Sequence, residues 1–264
     1  QHFPEQTPVA WNRSINAYNR NPEVKPHTEA ETHLALNREI QLIGFYREQK
    51  LQSFISLFGV HATCLGNSLN AYDGDNKGYA AAFSEQALIR QGIQNPVTIF
   101  AQATAGDVSP HFHGKDQLKI RNKIKGEQEY QYAQQNGRYQ SELALTLQQT
   151  IPEKLQTVEG KIDAVMSYVD LSNIEIPAEF TYGQLGAKTS QPCHGTAFFA
   201  GTPVDGLGAP KVLIKGMQFL ADQFRKQKTK HPNAADFTAY QQLYASQGPK
   251  QILLEAGAKK ILGQ

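Results

Sequence analysis

Three side chains of this 264-residue chain suggest chemistry by their type and setting: Arg13, His61 and Ser109. Ser109 lies in "FAQATAGDVSPHFHGKD" (100–116), where a short apolar run gives way to small residues, a Gly-Asp pair and a serine followed by proline. Pro110 fixes its own φ and pushes Ser109 towards an extended conformation, while Gly106 allows a tight turn. Backbone amides in such a turn can point at an oxyanion. The stretch lacks the Gly-x-Ser-x-Gly pattern of a nucleophile elbow. Two readings stay open: a structural turn, or a turn that presents Ser109 as nucleophile or oxyanion donor.

His61 closes the apolar run "FISLFGVHAT" just before a polar loop. It is either a core-edge histidine bonded to backbone, or a metal ligand or general base at a strand's carboxyl end, where active sites of open sheets collect. Arg13, in "NRSINAY" (12–18), is either a surface arginine or a clamp for a carboxylate, phosphate or oxyanion. His111 and His113 in "HFH" have the most metal-like spacing of the chain, since an extended backbone sets both imidazoles on one face. No further ligand stands nearby in an obvious pattern. Cys64 and Cys193 lack metal-ligand spacing, and the sequence leaves open whether they pair. "AFFAGTPVDGLG" (197–208) reads as a strand into a glycine-rich turn. It has neither a P-loop lysine nor a dinucleotide fingerprint.

These residues need elements to hold them. Residues 1–30, rich in Pro, Asn and charge, read as an extended leading segment. "IQLIGFY" and "FISLFGVHA", separated by polar "REQK", predict two strands in a hairpin. "YAAAFSEQALIRQ" (79–91) predicts a helix with Tyr79, Phe83 and Ala87 in register, and "PVTIFAQA" (96–103) a central strand that leads towards Ser109. The basic stretch 115–128 reads as the solvated face of a helix. A long polar helix is expected over 127–150, weakened by Gly137. Residues 161–177 alternate as one long strand, helical patterns follow near 211–227 and 234–246, and "QILLEAG" closes as a strand. The class is α/β: a mixed sheet with flanking helices, pairing partly parallel and partly antiparallel.

Composition narrows the function. Apolar residues make up 40% and charged residues 19%, as in soluble globular proteins. A net charge of +2 with mixed signs argues against a nucleic-acid surface. No apolar run reaches the roughly 20 residues of a membrane-spanning helix. The opening "QHFPEQTPVAW" shows no signal peptide and no initiator methionine, as expected of a processed chain or a piece of a longer one.

The order of the pieces is more specific than any one of them. "NRSINAY", "FGVHATCLGNSLNAYDGDNKGYAAAFSEQ", "FAQATAGDVSP", "KTSQPCHGTAFFAGTPVDGLG" and "PKQILLEAG" together resemble the neutral/alkaline, non-lysosomal ceramidases over most of residues 12–257. The corresponding family blocks contain Asn-Arg-Ser-Pro, Phe-Ala-x-His-Pro-Thr-Ser and Ser-Asp-Asn-x-Gly-Tyr-Ala. A Gly-Asp/Asn-x-Ser-Pro-Asn turn, a Phe-Ala-Ala-Gly-Thr-x-Asp-Gly segment and Lys-Pro-Ile-Leu-Leu-x-x-Gly follow.

The resemblance implies a zinc-dependent amidohydrolase that cleaves the N-acyl bond of ceramide to sphingosine and a fatty acid. Residues 1–264 would be a single, incomplete, central part of its catalytic domain. His61 matches a histidine that binds the family's zinc (Zn2+). Ser109 matches the serine of the active-site turn, and Arg13 an arginine that holds substrate or the developing oxyanion. Asp75, Asn76, Gly78 and Tyr79 match framework residues. Ceramide or a related N-acyl lipid is the implied partner, with membrane-surface contact and a secreted or extracytoplasmic location.

The departures are Ile15, Ala62, Cys64 and His111, which stand where the family has proline, proline, serine and asparagine. The family's other zinc ligands, an upstream histidine and a downstream glutamate and tyrosine, find no match. A catalytic zinc takes three protein ligands and a water. The expectation is therefore a portion of a longer or two-chain enzyme whose missing segments complete the shell. The alternative is a non-catalytic relative that binds a lipid or a protein partner. A hydrolase of another N-acyl substrate, or a local site rebuilt from His61, His111 and His113, are further readings.

Overall fold

The computed structural model describes residues 1–66, 68–150, 155–201, 204, 209–230, 232, 237–248 and 250–255. These fall in two units, residues 1–158 and 159–264.

In the first unit β1 (Ala10–Asn12) leads into the single turn α1 (Ile15–Tyr18). Phe3, Val9, Ala10 and Trp11 of this leading segment are buried. β2 (Gln41–Arg47) and β3 (Lys50–Phe58) then form the expected hairpin. Its two turn residues, Glu48 and Gln49, have φ of 49° and 61°, the twist-compatible geometry of a two-residue hairpin loop. The helix α2 (Asp75–Arg90) crosses over to β4 (Thr98–Gln102), which pairs parallel with β3. The resulting sheet, in order β2-β3-β4, is mixed as expected. Its apolar face carries Leu51, Phe54, Phe58 and Phe100 into one core with Phe3, Ile40 and Leu88. The three-residue strand β5 (Val108–Pro110) pairs antiparallel with β1. After it come α3 (Gln117–Arg121) and α4 (Glu127–Thr150).

Three expectations need correction here. β4 ends at Gln102, so Ser109 belongs to a different strand, β5, beyond a turn. The buried stripe of α2 is Asn76, Ala80, Ser84 and Leu88 rather than the Tyr79 register, because small residues admit α4 closely. Ser84 and Ser141 share a hydrogen bond of 2.8 Å across that contact. The basic stretch 115–128 is not one solvated helix face. It breaks after Arg121, whose buried guanidinium donates to the Cys64 carbonyl (3.0 Å), faces Glu129 at 3.5 Å and lies over the Tyr132 ring.

The second unit contains β6 (Cys193–Gly195), α5 (Thr196–Ala200), α6 (Lys211–Lys230), α7 (Phe237–Gln247) and β7 (Ile252–Glu255), with β6 and β7 antiparallel. Thr196 and Asp222 both engage the Gln251 side chain, at 3.1 Å each. "AFFA", expected as a strand, is helical in α5, since the strand ends at Gly195; most of the glycine-rich turn after it (202–203 and 205–208) lies outside the described residues, as do 234–236 of the last expected helix. Residues 161–171 have no regular structure, and only the end of the expected long strand pairs, through a bridge between Glu175 and Lys188. Alternation alone does not make a strand; a partner edge must be present to take its backbone groups.

Gly137 explains how a polar helix can pack on α2. A Cβ there would stand 2.7 Å from the Asn76 carbonyl oxygen and 2.8 Å from the Ala80 nitrogen. Gly137→Ala should therefore destabilise the chain by about 1–3 kcal/mol. Gly78→Ala, where a Cβ meets nothing within 4 Å, should be neutral or stabilising by up to ~1 kcal/mol. Paired urea-unfolding midpoints check both.

Candidate active site

Hydrogen-bond alternation in the β1–β5 ladder builds the site. Arg13 N donates to Asp107 O (2.9 Å) and His111 N to Val9 O (3.0 Å). Bonded pairs thus fall at odd positions of β1, and Ala10–Pro110 and Asn12–Val108 are non-bonded pairs. Pro110, which has no N–H, sits where the ladder asks for none. The Val108 carbonyl turns away from β1 and accepts two bonds from His61, from its amide at 3.1 Å and from its ring Nδ1 at 2.9 Å.

A carbonyl can only accept, so Nδ1 of His61 carries the hydrogen. In the neutral ring Nε2 then keeps its lone pair, the arrangement of a metal-ligating histidine held by a backbone carbonyl. His61 fits a zinc ligand on this ground. Among the described residues no group of three or more His, Cys, Asp or Glu gathers to hold a metal, around His61 or elsewhere.

Arg13 and Ser109 meet directly. The guanidinium donates from Nη1 to Ser109 Oγ (3.3 Å) and from Nη2 to the Gly106 carbonyl (3.1 Å). Ser109 is buried, 1% exposed, beneath the half-buried arginine. Gly106 is not needed for its φ, and a Cβ there would meet nothing within 4 Å; its carbonyl, not its flexibility, is used. All three predicted residues are therefore attached to β5: Ser109 in it, His61 through Val108 and Arg13 through Ser109.

The "HFH" motif is not a bidentate face. His111 has φ of 57°, so the segment is not extended. Its Nε2 lies 2.6 Å from the Tyr132 carbonyl, and burial pushes its pKa down to about 3. The two imidazoles stack, centroids 6.0 Å apart, and His113 bonds the Tyr132 hydroxyl at 2.8 Å. Both cysteines are free thiols, and burial raises that of Cys64 well above its ordinary value.

Of the residues that hold the site, the framework residues Asp75 and Asn76 were expected, whereas Asn12 and Lys77 were missed. Buried Asn12 donates Nδ2 to the Asp107 carboxylate (2.7 Å) and to the Ala35 carbonyl (2.8 Å), and accepts Ser14 N at 2.8 Å. Asn76 donates to the His61 carbonyl at 3.0 Å, while Asp75 accepts Leu65 N at 2.8 Å, so the start of α2 pins the loop after His61. Lys77 reaches inward to Phe58 O and Gln140 Oε1, both at 2.9 Å, and burial lowers its pKa to about 7. For Asn12 the only signal was an Asn beside the matched Arg13, and Asn equally marks ordinary turns; Lys77 gave none.

A family model for the N-terminal region of neutral/alkaline non-lysosomal ceramidases matches residues 6–262. The chain is 29% identical to the neutral ceramidase of Mycobacterium tuberculosis over 196 residues, 72% of this chain and 29% of that protein. It is 27% identical to the neutral ceramidase of Pseudomonas aeruginosa over 250 residues, 94% of this chain and 34% of that one. The chain thus spans about a third of the length of the curated relatives it matches. A crystal structure of the P. aeruginosa neutral ceramidase aligns with TM-score 0.56 and 24% identity, over 81% of this chain and 33% of that one. A ceramidase complexed with C2 aligns with TM-score 0.66 and 23% identity, over 97% and 36%. These two show the fold.

Lys77 gives the site's support a pH dependence. Burial holds its pKa at about 7 when folded, against an ordinary 10.5. Between those values the unfolded chain binds more protons, so the Lys77 contribution to stability grows as pH rises through the window and is least below about 7. The urea-midpoint difference between the wild type and Lys77→Met should accordingly shift in favour of the wild type from pH 7 to 9. A constant difference would leave Lys77 charged in the fold.

Proposed function

Since this chain belongs to the neutral/alkaline non-lysosomal ceramidase family, we propose that it supplies part of a zinc-dependent site that hydrolyses the N-acyl bond of ceramide to sphingosine and a fatty acid. The observation that carries the reading is the attachment of Arg13, His61 and Ser109 to β5, with the His61 ring bonded to Val108 at 2.9 Å and Arg13 to Ser109 at 3.3 Å.

His61 would hold the metal through Nε2, its tautomer set by the Val108 carbonyl. Zinc, when bound, supplies Lewis acidity and an acidified water. Arg13 brings a permanent positive charge beside Ser109, suited to the oxygen that becomes negative when an amide carbonyl is attacked. Ser109 accepts from Arg13 and, in this reading, meets the reacting group through its hydroxyl. The other zinc ligands come, in this reading, from ceramidase polypeptide outside these 264 residues, as a longer chain or a second one. A secreted or extracytoplasmic location with membrane-surface contact suits a lipid substrate. No helix among the described residues is long and apolar enough to cross a membrane.

The burial of Ser109 favours a second reading, a ceramidase-fold protein that binds a lipid or protein partner without turnover. Zinc content and ceramide hydrolysis of the complete, zinc-loaded assembly separate the two. Under the hydrolytic reading Ser109→Ala keeps its zinc and loses about 100-fold or more in kcat, whereas His61→Ala loses the metal. Unchanged turnover in Ser109→Ala would remove its catalytic role. Absence of both zinc and turnover in the wild type would establish the binding reading.

A further inference from the structure

The segment "KIDAVMSYVDL", residues 161–171, is composed like a strand but pairs with no strand among the described residues; its backbone meets side chains only, the Leu171 carbonyl accepting the Thr189 hydroxyl at 2.6 Å and Ala164 N donating to Asp163 at 2.9 Å. Ile162, Val165, Tyr168 and Val169 are strong strand formers, and the central "AVMSYV" carries no charge, glycine or proline. Among the described residues none of its backbone groups enters a backbone hydrogen bond. Its side chains stand in water: Ile162 and Val165 are each 93% exposed, Met166 84% and Tyr168 95%. As a strand, its uncharged centre 164–169 would be the kind of edge that native proteins cover.

The pattern also describes the cover. Successive side chains of a strand alternate, so Ile162, Ala164, Met166 and Tyr168 share one face, and Val165, Val169 and Leu171 share the other with Asp163 and Ser167. Apolar residues on both faces mark a strand packed on both sides, inside a layered sheet. A second copy of the segment offers only another edge, not two layers. The relatives offer more: the P. aeruginosa neutral ceramidase matches 94% of this chain with only 34% of its own length.

We propose that residues 161–171 complete a strand by adding to a sheet edge of ceramidase polypeptide lying outside these 264 residues. Main-chain hydrogen bonds would give the affinity and the two apolar faces the register. The reading above enters only through the identity of the partner.

Hydrogen–deuterium exchange of the 161–171 amides tests this, comparing protein purified from its natural source with the 264-residue chain expressed alone. The source protein should contain further ceramidase polypeptide and exchange these amides about 100-fold more slowly or less. Val169→Pro should restore fast exchange there, while Val169→Thr should not. Equally fast exchange in both samples would overturn the proposal. So would protection in a species made only of copies of this chain. Ceramide turnover, read on the same source protein, stands apart: protection without turnover keeps this inference and removes the hydrolytic reading.

Discussion

The Val108 carbonyl accepts two hydrogen bonds from one residue, and the candidate site depends on that arrangement. Antiparallel pairing turns this carbonyl away from β1, and a buried carbonyl without a partner would cost about 1–3 kcal/mol. His61 meets the need with its amide and its ring together. The same bond that satisfies the backbone therefore fixes the imidazole's orientation and leaves Nε2 as the lone-pair nitrogen. Structure and chemistry are coupled at a single oxygen.

Behind this ladder lies a polar support rather than an apolar one. Val9 O, which receives His111 N, also accepts Asn136 Nδ2 at 2.7 Å. Asn136 in turn accepts from Gln140 at 3.0 Å, and Gln140 accepts from Lys77 at 2.9 Å. A chain of bonds thus runs from Val9, next to β1, through α4 to α2, and the first turn of α2 holds the His61 carbonyl through Asn76. Buried polar groups are costly unless each finds a partner, and when they do they specify one arrangement. Gly137 lets the two helices come close enough for this.

The second unit is built differently. Among its described residues Ala221, Tyr244 and Ile252 are buried apolar positions, while Val212, Leu213, Phe219 and Leu220 of α6 are exposed. Exposed apolar residues in such number are characteristic of interaction surfaces. The family model covers this unit as well, since its match runs over residues 6–262.

Local pattern made the hairpin, α2, β4, α4, α6 and β7 legible in the sequence, because periodicity and turn chemistry are properties of neighbouring residues. The ordered blocks made the family legible, and with it Arg13, His61 and Ser109 as residues worth following. Their mutual arrangement was not legible. That Ser109 sits in a separate strand, that Val108 rather than a side chain sets the His61 tautomer, and that Asn12 clamps Asp107 across 95 positions are consequences of β1–β5 register. The alternation at 161–171 was equally plain, yet no strand formed there, because a strand exists only when another edge takes its hydrogen bonds. Sequence determined which residues favour each element; tertiary pairing decided which carbonyl met which donor, since those partners lie far apart along the chain and meet only when it folds.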